Sequence, residues 1–164
     1  MILARYQTRR LSDWIEGQLE GRFQLTINRE KTRIVELNRP GTKLDFLGFT
    51  LRYDRSLFGG PKRYLNVVPS DKALSRARDK LGELTARRRN RVPPSVLIGQ
   101  ASSWLHSWAR YYDHGYPRRA FHKLNWYAYQ RLVRHLKRRS QRSFRFSKGR
   151  SVLSCLKLLG WRPL

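Results

Sequence analysis

Residues 64–84 read YLNVVPSDKALSRARDKLGEL, and the hydrophobic period changes inside this stretch. Up to Val68 the pattern is that of a short strand. After Pro69, Leu74, Ala77, Leu81 and Leu84 recur at three- and four-residue spacing, the seam of an amphipathic helix. Ser70 or Asp71 can cap that helix, because a short side chain with an oxygen accepts from the free N–H groups of the first turn. The chain is therefore expected to be α+β, with strands before this point and helices after it.

Downstream, the first helix ends in Arg87-Arg88-Arg89-Asn90, and Pro93-Pro94 restarts the chain. A second helix carries Leu97, Ala101, Trp104, Leu105, Trp108 and Tyr111 on one side, which reads as core, and stops near His114-Gly115. A third runs from about Pro117 towards Arg139 with Phe121, Leu124, Ala128, Leu132 and Leu136 inward. Three amphipathic helices with short connections pack as a small bundle. Upstream, residues 1–4 read as a strand and residues 8–19 as a helix closed by Gly21. Phe23, Leu25 and Ile27 alternate with polar residues as a strand does, and Ile34, Val35 and Leu37 suggest another. Two further strands, around 46–53 and 64–68, flank a loop with Gly59-Gly60-Pro61. The expected organisation is a strand-helix-strand unit plus β-hairpin over 1–68, then a three-helix bundle with a basic tail over 69–164.

The 164 residues hold 36 Lys and Arg against 11 Asp and Glu, a net charge of +25. Self-repulsion of this size opposes compaction, and a polyanionic partner, nucleic acid before membrane, explains why it is tolerated. With 40% hydrophobic residues a core is still attainable. The excess is uneven: from His114 onward there are 14 basic residues and no acid. A single cysteine, Cys155, excludes an intramolecular disulfide framework and fits a reducing compartment. No apolar run approaches the roughly 20 residues that span a bilayer, so the chain is expected to be cytoplasmic, with no membrane partner.

Self-sufficient chemistry is not visible. Two-metal phosphoryl transfer needs converging carboxylates, whereas the acids here are scattered, and Asp13, Glu16 and Glu20 read as a solvated helix face. His106, His114, His122 and His135 lack the spacing of a helical zinc site, so no metal is expected. Gly59-Gly60-Pro61-Lys62 lacks the second half of a phosphate-binding loop. What stands out is basic residues interleaved with aromatics. Trp126 and Tyr129 lie off the apolar stripe of the third helix, beside Arg131, Arg134, Lys137, Arg138 and Arg139. With Arg118, Arg119 and Lys123 on the same helix, and Arg87, Arg88 and Arg89 after the first, they make a candidate RNA-binding set.

Four local motifs follow one another along the chain: Asn28-Arg29-Glu30-Lys31-Thr32-Arg33, Phe46-Leu47-Gly48-Phe49, Val68-Pro69-Ser70 opening a helix, and WLHSWARYY at 104–112. Their order resembles the C-terminal part of group II intron reverse transcriptase/maturases. The resemblance implies that 1–68 is the end of a polymerase palm and 69–164 the helical thumb, or maturase X domain. The paired aspartates of the family's Tyr-Ala-Asp-Asp loop are absent, so the chain is expected to be a fragment or one piece of a split enzyme. It would bind no cofactor itself and be inactive alone, with Mg2+ belonging to the complete enzyme. Lys31 looks like the palm lysine that assists the leaving pyrophosphate, although Arg29 stands where the family usually has proline. Residues Phe46 to Phe49 are similar to the primer grip. Implied partners are intron RNA, a template-primer duplex, the missing N-terminal half and, through open strand edges, a second copy. The rival reading is a basic structural protein of a ribonucleoprotein or nucleoid.

Overall fold

The computed structural model describes residues 2, 4–6, 8–56, 60–140 and 149–164. Met1 and Leu3 of the expected first strand, Gly59 of the loop, and the part of the acid-free tail at 141–148 lie outside the described residues. The chain divides into two compact units, Met1–Glu36 and Leu37–Leu164. The boundary expected at 68/69 therefore lies inside the second unit.

The first unit is built on helix α1, Arg9–Glu16, whose N-cap Thr8 accepts from the Leu11 N–H at 3.2 Å. The helix does not close at Gly21. It widens into a π-helical segment, Gly17–Arg22, rich in the glycine that weakens regular helix, with Phe23 N–H reaching the Gln18 carbonyl at 3.1 Å. The strands expected here are absent among the described residues. Gln24 has φ +53, which breaks the extended run from Phe23 to Ile27, and neither that segment nor Ile34 to Leu37 has a ladder partner. Alternation without a partner leaves backbone groups to water and makes no strand.

The second unit begins with a three-stranded antiparallel sheet in the order β1 (Lys43–Phe46), β2 (Phe49–Arg55), β3 (Arg63–Pro69). The single strand expected at 46–53 is thus two, folded at Leu47-Gly48. Helix α2, Asp71–Leu84, starts where the period change placed it, with Ser70 Oγ accepting from the Ala73 N–H at 3.2 Å. Helices α3, Pro94–Tyr112, and α4, Arg118–Arg138, follow. A fifth, α5, Val152–Leu158, is capped by Ser151 and was not anticipated. The fold is mixed α/β. Its core joins Leu81, Leu97, Ile98, Leu105, Leu124 and Leu132 from α2 to α4 with Leu156 of α5 and Trp161 beyond it. Full burial of each leucine contributes about 1.5 to 3 kcal/mol. Tyr111, expected in the core, is 54% exposed, because its ring stands at the end of α3 against the sheet rather than between helices.

Candidate nucleic-acid interface

At 100° per residue, Leu124, Ala128, Leu132 and Leu136 of α4 fall on one side and are buried. Arg119, Lys123, Trp126, Gln130, Arg134 and Lys137, at steps of three and four, fall on the opposite side, and all are exposed. Trp126 sits at the middle of this row, 61% exposed, and stacks on Tyr129 at 5.6 Å and 20°. Tyr129 itself leans on the core. Among the described residues none of the four cations takes part in an ion pair. The row is a strip of free positive charge with a flat ring at its centre, a form suited to phosphates flanking an unstacked base.

Other basic candidates are placed differently. Arg131 and Arg138 lie on the side of α4 facing α2, where Arg131 Nη2 donates to the Gly82 carbonyl at 2.9 Å and Arg138 Nη2 to the Thr85 carbonyl at 2.6 Å. Burial first, then the charges of Arg131, Arg134 and Arg87, lower the pKa of Arg138. Arg139 is half-buried, and its Nη1 has no hydrogen-bond partner. The expected surface of Arg131, Arg134, Lys137 and Arg138 is therefore split: Arg134 and Lys137 face outward, and the other two hold the end of α2. The reason is geometric: at 100° per residue Arg131 and Arg138 lie about 100 to 120° round the helix from Lys137, beyond Arg134, on the flank that meets the end of α2. Arg87, Arg88 and Arg89 form a 3-10 turn after α2. Arg88 pairs with Glu83 at 3.4 Å, Arg89 bonds Gln100, and Arg87 is exposed. Lys80, then Arg88 and Arg89, hold the Glu83 carboxyl below its usual range.

Phe46 to Phe49 forms the β1–β2 turn, with φ +48 at Leu47 and +85 at Gly48, the signs of a type I′ hairpin. The turn is seated on the end of α3. Phe49 meets Tyr112 at 5.0 Å and Tyr111 at 5.5 Å, and the Tyr111 hydroxyl donates to the Leu47 carbonyl at 3.3 Å. Leu47 is left 70% exposed. Burial pushes the Tyr112 phenol up. In the first unit, Lys31 is exposed in a turn whose Asn28 Oδ1 accepts from the Lys31 N–H at 3.0 Å. Sequence reading missed Tyr116, 65% exposed just before α4; an aromatic beside Arg118-Arg119 was the available signal.

Among the described residues no three His, Cys, Asp or Glu side chains gather to hold a metal ion, and no helix is long and apolar enough to cross a membrane. Residues 74–152 match the family model of the group II intron, maturase-specific domain. This span takes in most of α2 and all of α3 and α4. No curated protein matches the chain.

Proposed function

We propose that the chain, whose residues 74–152 match the group II intron, maturase-specific domain, binds group II intron RNA through the outer face of α4 and assists splicing by holding the folded RNA. The observation that carries this is the exposed row from Arg119 to Lys137 with Trp126 at its centre, in a segment without a single acid. Assistance of this kind is physical. Cations on a rigid helix offset the repulsion between RNA segments, and a ring holds a base that would otherwise restack.

The same reading makes α2 to α4 the thumb and the sheet the adjoining end of a palm. The Leu47-Gly48 turn would then steady the end of a template-primer duplex, and Lys31 would face pyrophosphate. Exposure of Leu47 and the shaping of the Lys31 turn by Asn28 support these roles. The described residues do not fit magnesium, because their carboxylates do not converge, so no step of nucleotidyl transfer is derived from them.

The test is binding to a folded intron RNA and to a scrambled RNA of equal length over a range of salt. Preference for the intron of tenfold or more is expected. Replacing Arg119, Lys123, Arg134 and Lys137 by alanine should lower the salt slope by roughly three, at about 0.7 to 0.9 per phosphate. Equal affinity for both RNAs would favour the rival, an unselective binder of polyanions, for which the net charge of +25 speaks.

A further inference from the structure

The turn between α3 and α4 is held with unusual care for an exposed segment. Gly115 has φ +66, and a Cβ there would stand 2.5 Å from the Val67 carbonyl oxygen, so the turn lies directly on the backbone of β3. The next N–H, that of Tyr116, donates to Asn66 Oδ1 at 3.2 Å. Asn66 is 4% exposed; its Nδ2 donates to Asp54 Oδ2 at 2.7 Å, and the other oxygen of Asp54 holds Arg52 Nε at 3.0 Å. The ring of Tyr116 meets Tyr64 edge-on at 5.3 Å and 83°. All this fixes a side chain that is still 65% exposed and contributes little to the core.

Arg118 and Arg119 follow at once, both exposed, in the first turn of α4. That turn contains no acid. Cations at the positive end of a helix dipole are unfavourable, so fold stability does not account for them. An anion outside the chain does.

We propose that Tyr116, with Arg118 and Arg119, is a second base-and-phosphate station on the α4 face, and that the ligand of this face is a single-stranded RNA segment. This rests on the RNA-binding reading above. Trp126 lies eight residues, about 12 Å of helical rise, beyond Arg118, and Tyr116 stands just before the helix, so one unpaired strand of a few nucleotides is long enough to reach from one ring to the other. Between the rings stands Lys123, exposed on the same row. A continuous duplex offers no free base face to either ring, whereas an unpaired strand offers one to each. Because both rings are set before binding, little ordering cost opposes the contact.

The experiment compares the full chain with Tyr116→Ala, Tyr116→Trp and the pair Arg134→Ala/Lys137→Ala. Probes are a 12-nucleotide unpaired RNA carrying one 2-aminopurine and a blunt RNA duplex of equal length, with helix content checked by circular dichroism. Tyr116→Ala is expected to weaken unpaired RNA about tenfold, to relieve 2-aminopurine quenching, and to change duplex affinity less than twofold. Tyr116→Trp should restore both affinity and quenching. Unchanged affinity for unpaired RNA in Tyr116→Ala, or equal loss on both RNAs, overturns the station. If the charge pair also leaves both affinities unchanged, the RNA-binding reading of α4 falls as well; if it weakens both, that reading stands and only the role of Tyr116 is lost.

Discussion

Arg138 of α4 donates a 2.6 Å hydrogen bond to the carbonyl of Thr85, the residue that ends α2. The same oxygen accepts from His135 Nδ1 at 3.1 Å, and Arg131 Nε reaches Thr85 Oγ1 at 3.0 Å. Three side chains of one helix thus close the negative end of another. Thr85 is 0% exposed, so its carbonyl has no water to turn to when these donors are removed.

Arg138→Ala is therefore expected to cost about 1.5 to 3 kcal/mol of stability, the range for a hydrogen bond made by a charged group, while His135 continues to hold the oxygen. Urea unfolding measures it. The salt dependence of RNA binding should hardly change, since this guanidinium faces inward. A stability loss below about 0.5 kcal/mol, with a salt slope lowered by about 0.7 to 0.9, would mean that Arg138 holds a phosphate instead.

His135 brings a dependence on pH. The Thr85 carbonyl can only accept, so Nδ1 carries the proton, while the buried Nε2 has no partner. Burial, then the charges of Arg138, Arg139 and Arg131, lower the pKa of the imidazole against the hydrogen bond to Thr85. The folded form stays neutral below about pH 6.5, where an unfolded histidine takes its proton. There the unfolded state binds more protons, so stability falls as pH falls from about 6.5 towards the depressed folded value. Melting temperature should drop between pH 7.5 and 5.5, and His135→Gln, which keeps a donor without titrating, should flatten that drop. Matching profiles for the two proteins would rule the mechanism out. Glu83, whose pKa is lowered, contributes stability that is lost only at more acid pH, below its usual value near 4.5.

The long helices were legible because burial imposes its period on them. Leu74, Ala77 and Leu81, or Leu124, Ala128 and Leu132, repeat often enough to fix both the element and the buried face. Strand patterns in residues 1–36 misled, since alternation states which side an extended segment would bury and not whether a partner lies beside it. Helix α5 is seven residues long, too short for two full periods. At the interface, Trp126 was visible as an aromatic off the apolar stripe. The inward turn of Arg131 and Arg138 was not, because their partners are carbonyls at the end of a different helix, more than 45 residues away in sequence. Backbone acceptors carry no side-chain signature.

Leu47 supplies a test of strain. A branched residue at φ +48 costs about 1 to 2 kcal/mol, and the side chain, 70% exposed, recovers little by burial. Leu47→Asn, a residue suited to this turn, is expected to stabilise the chain by about 0.5 to 1 kcal/mol in urea. Gly48→Ala should do the reverse, because φ is +85 and the new Cβ would lie 2.7 Å from the buried Tyr112 hydroxyl. If the exposed leucine serves a template-primer duplex, Leu47→Asn will bind that duplex more weakly while folding more stably. A stable variant with unchanged duplex affinity would remove the turn from the interface.

The last prediction separates the two stacked rings of α4. Trp126 is 61% exposed, so Trp126→Ala should shift stability by no more than about 0.5 kcal/mol. Tyr129 packs on the core as well as on Trp126, so Tyr129→Ala should lower stability and binding together. On RNA with unpaired bases, Trp126→Ala is expected to cost about 1 to 3 kcal/mol, and much less on a continuous duplex, where base faces are already stacked. Arg134→Ala with Lys137→Ala should behave oppositely, weakening both RNAs alike and lowering the salt slope by roughly 1.5, the share of two phosphates. Titrations of a structured intron fragment and a plain duplex at several salt concentrations distinguish these patterns. Equal losses on both RNAs after Trp126→Ala would make the ring a part of the fold and leave α4 a charged rod, which grips any polyanion and selects none.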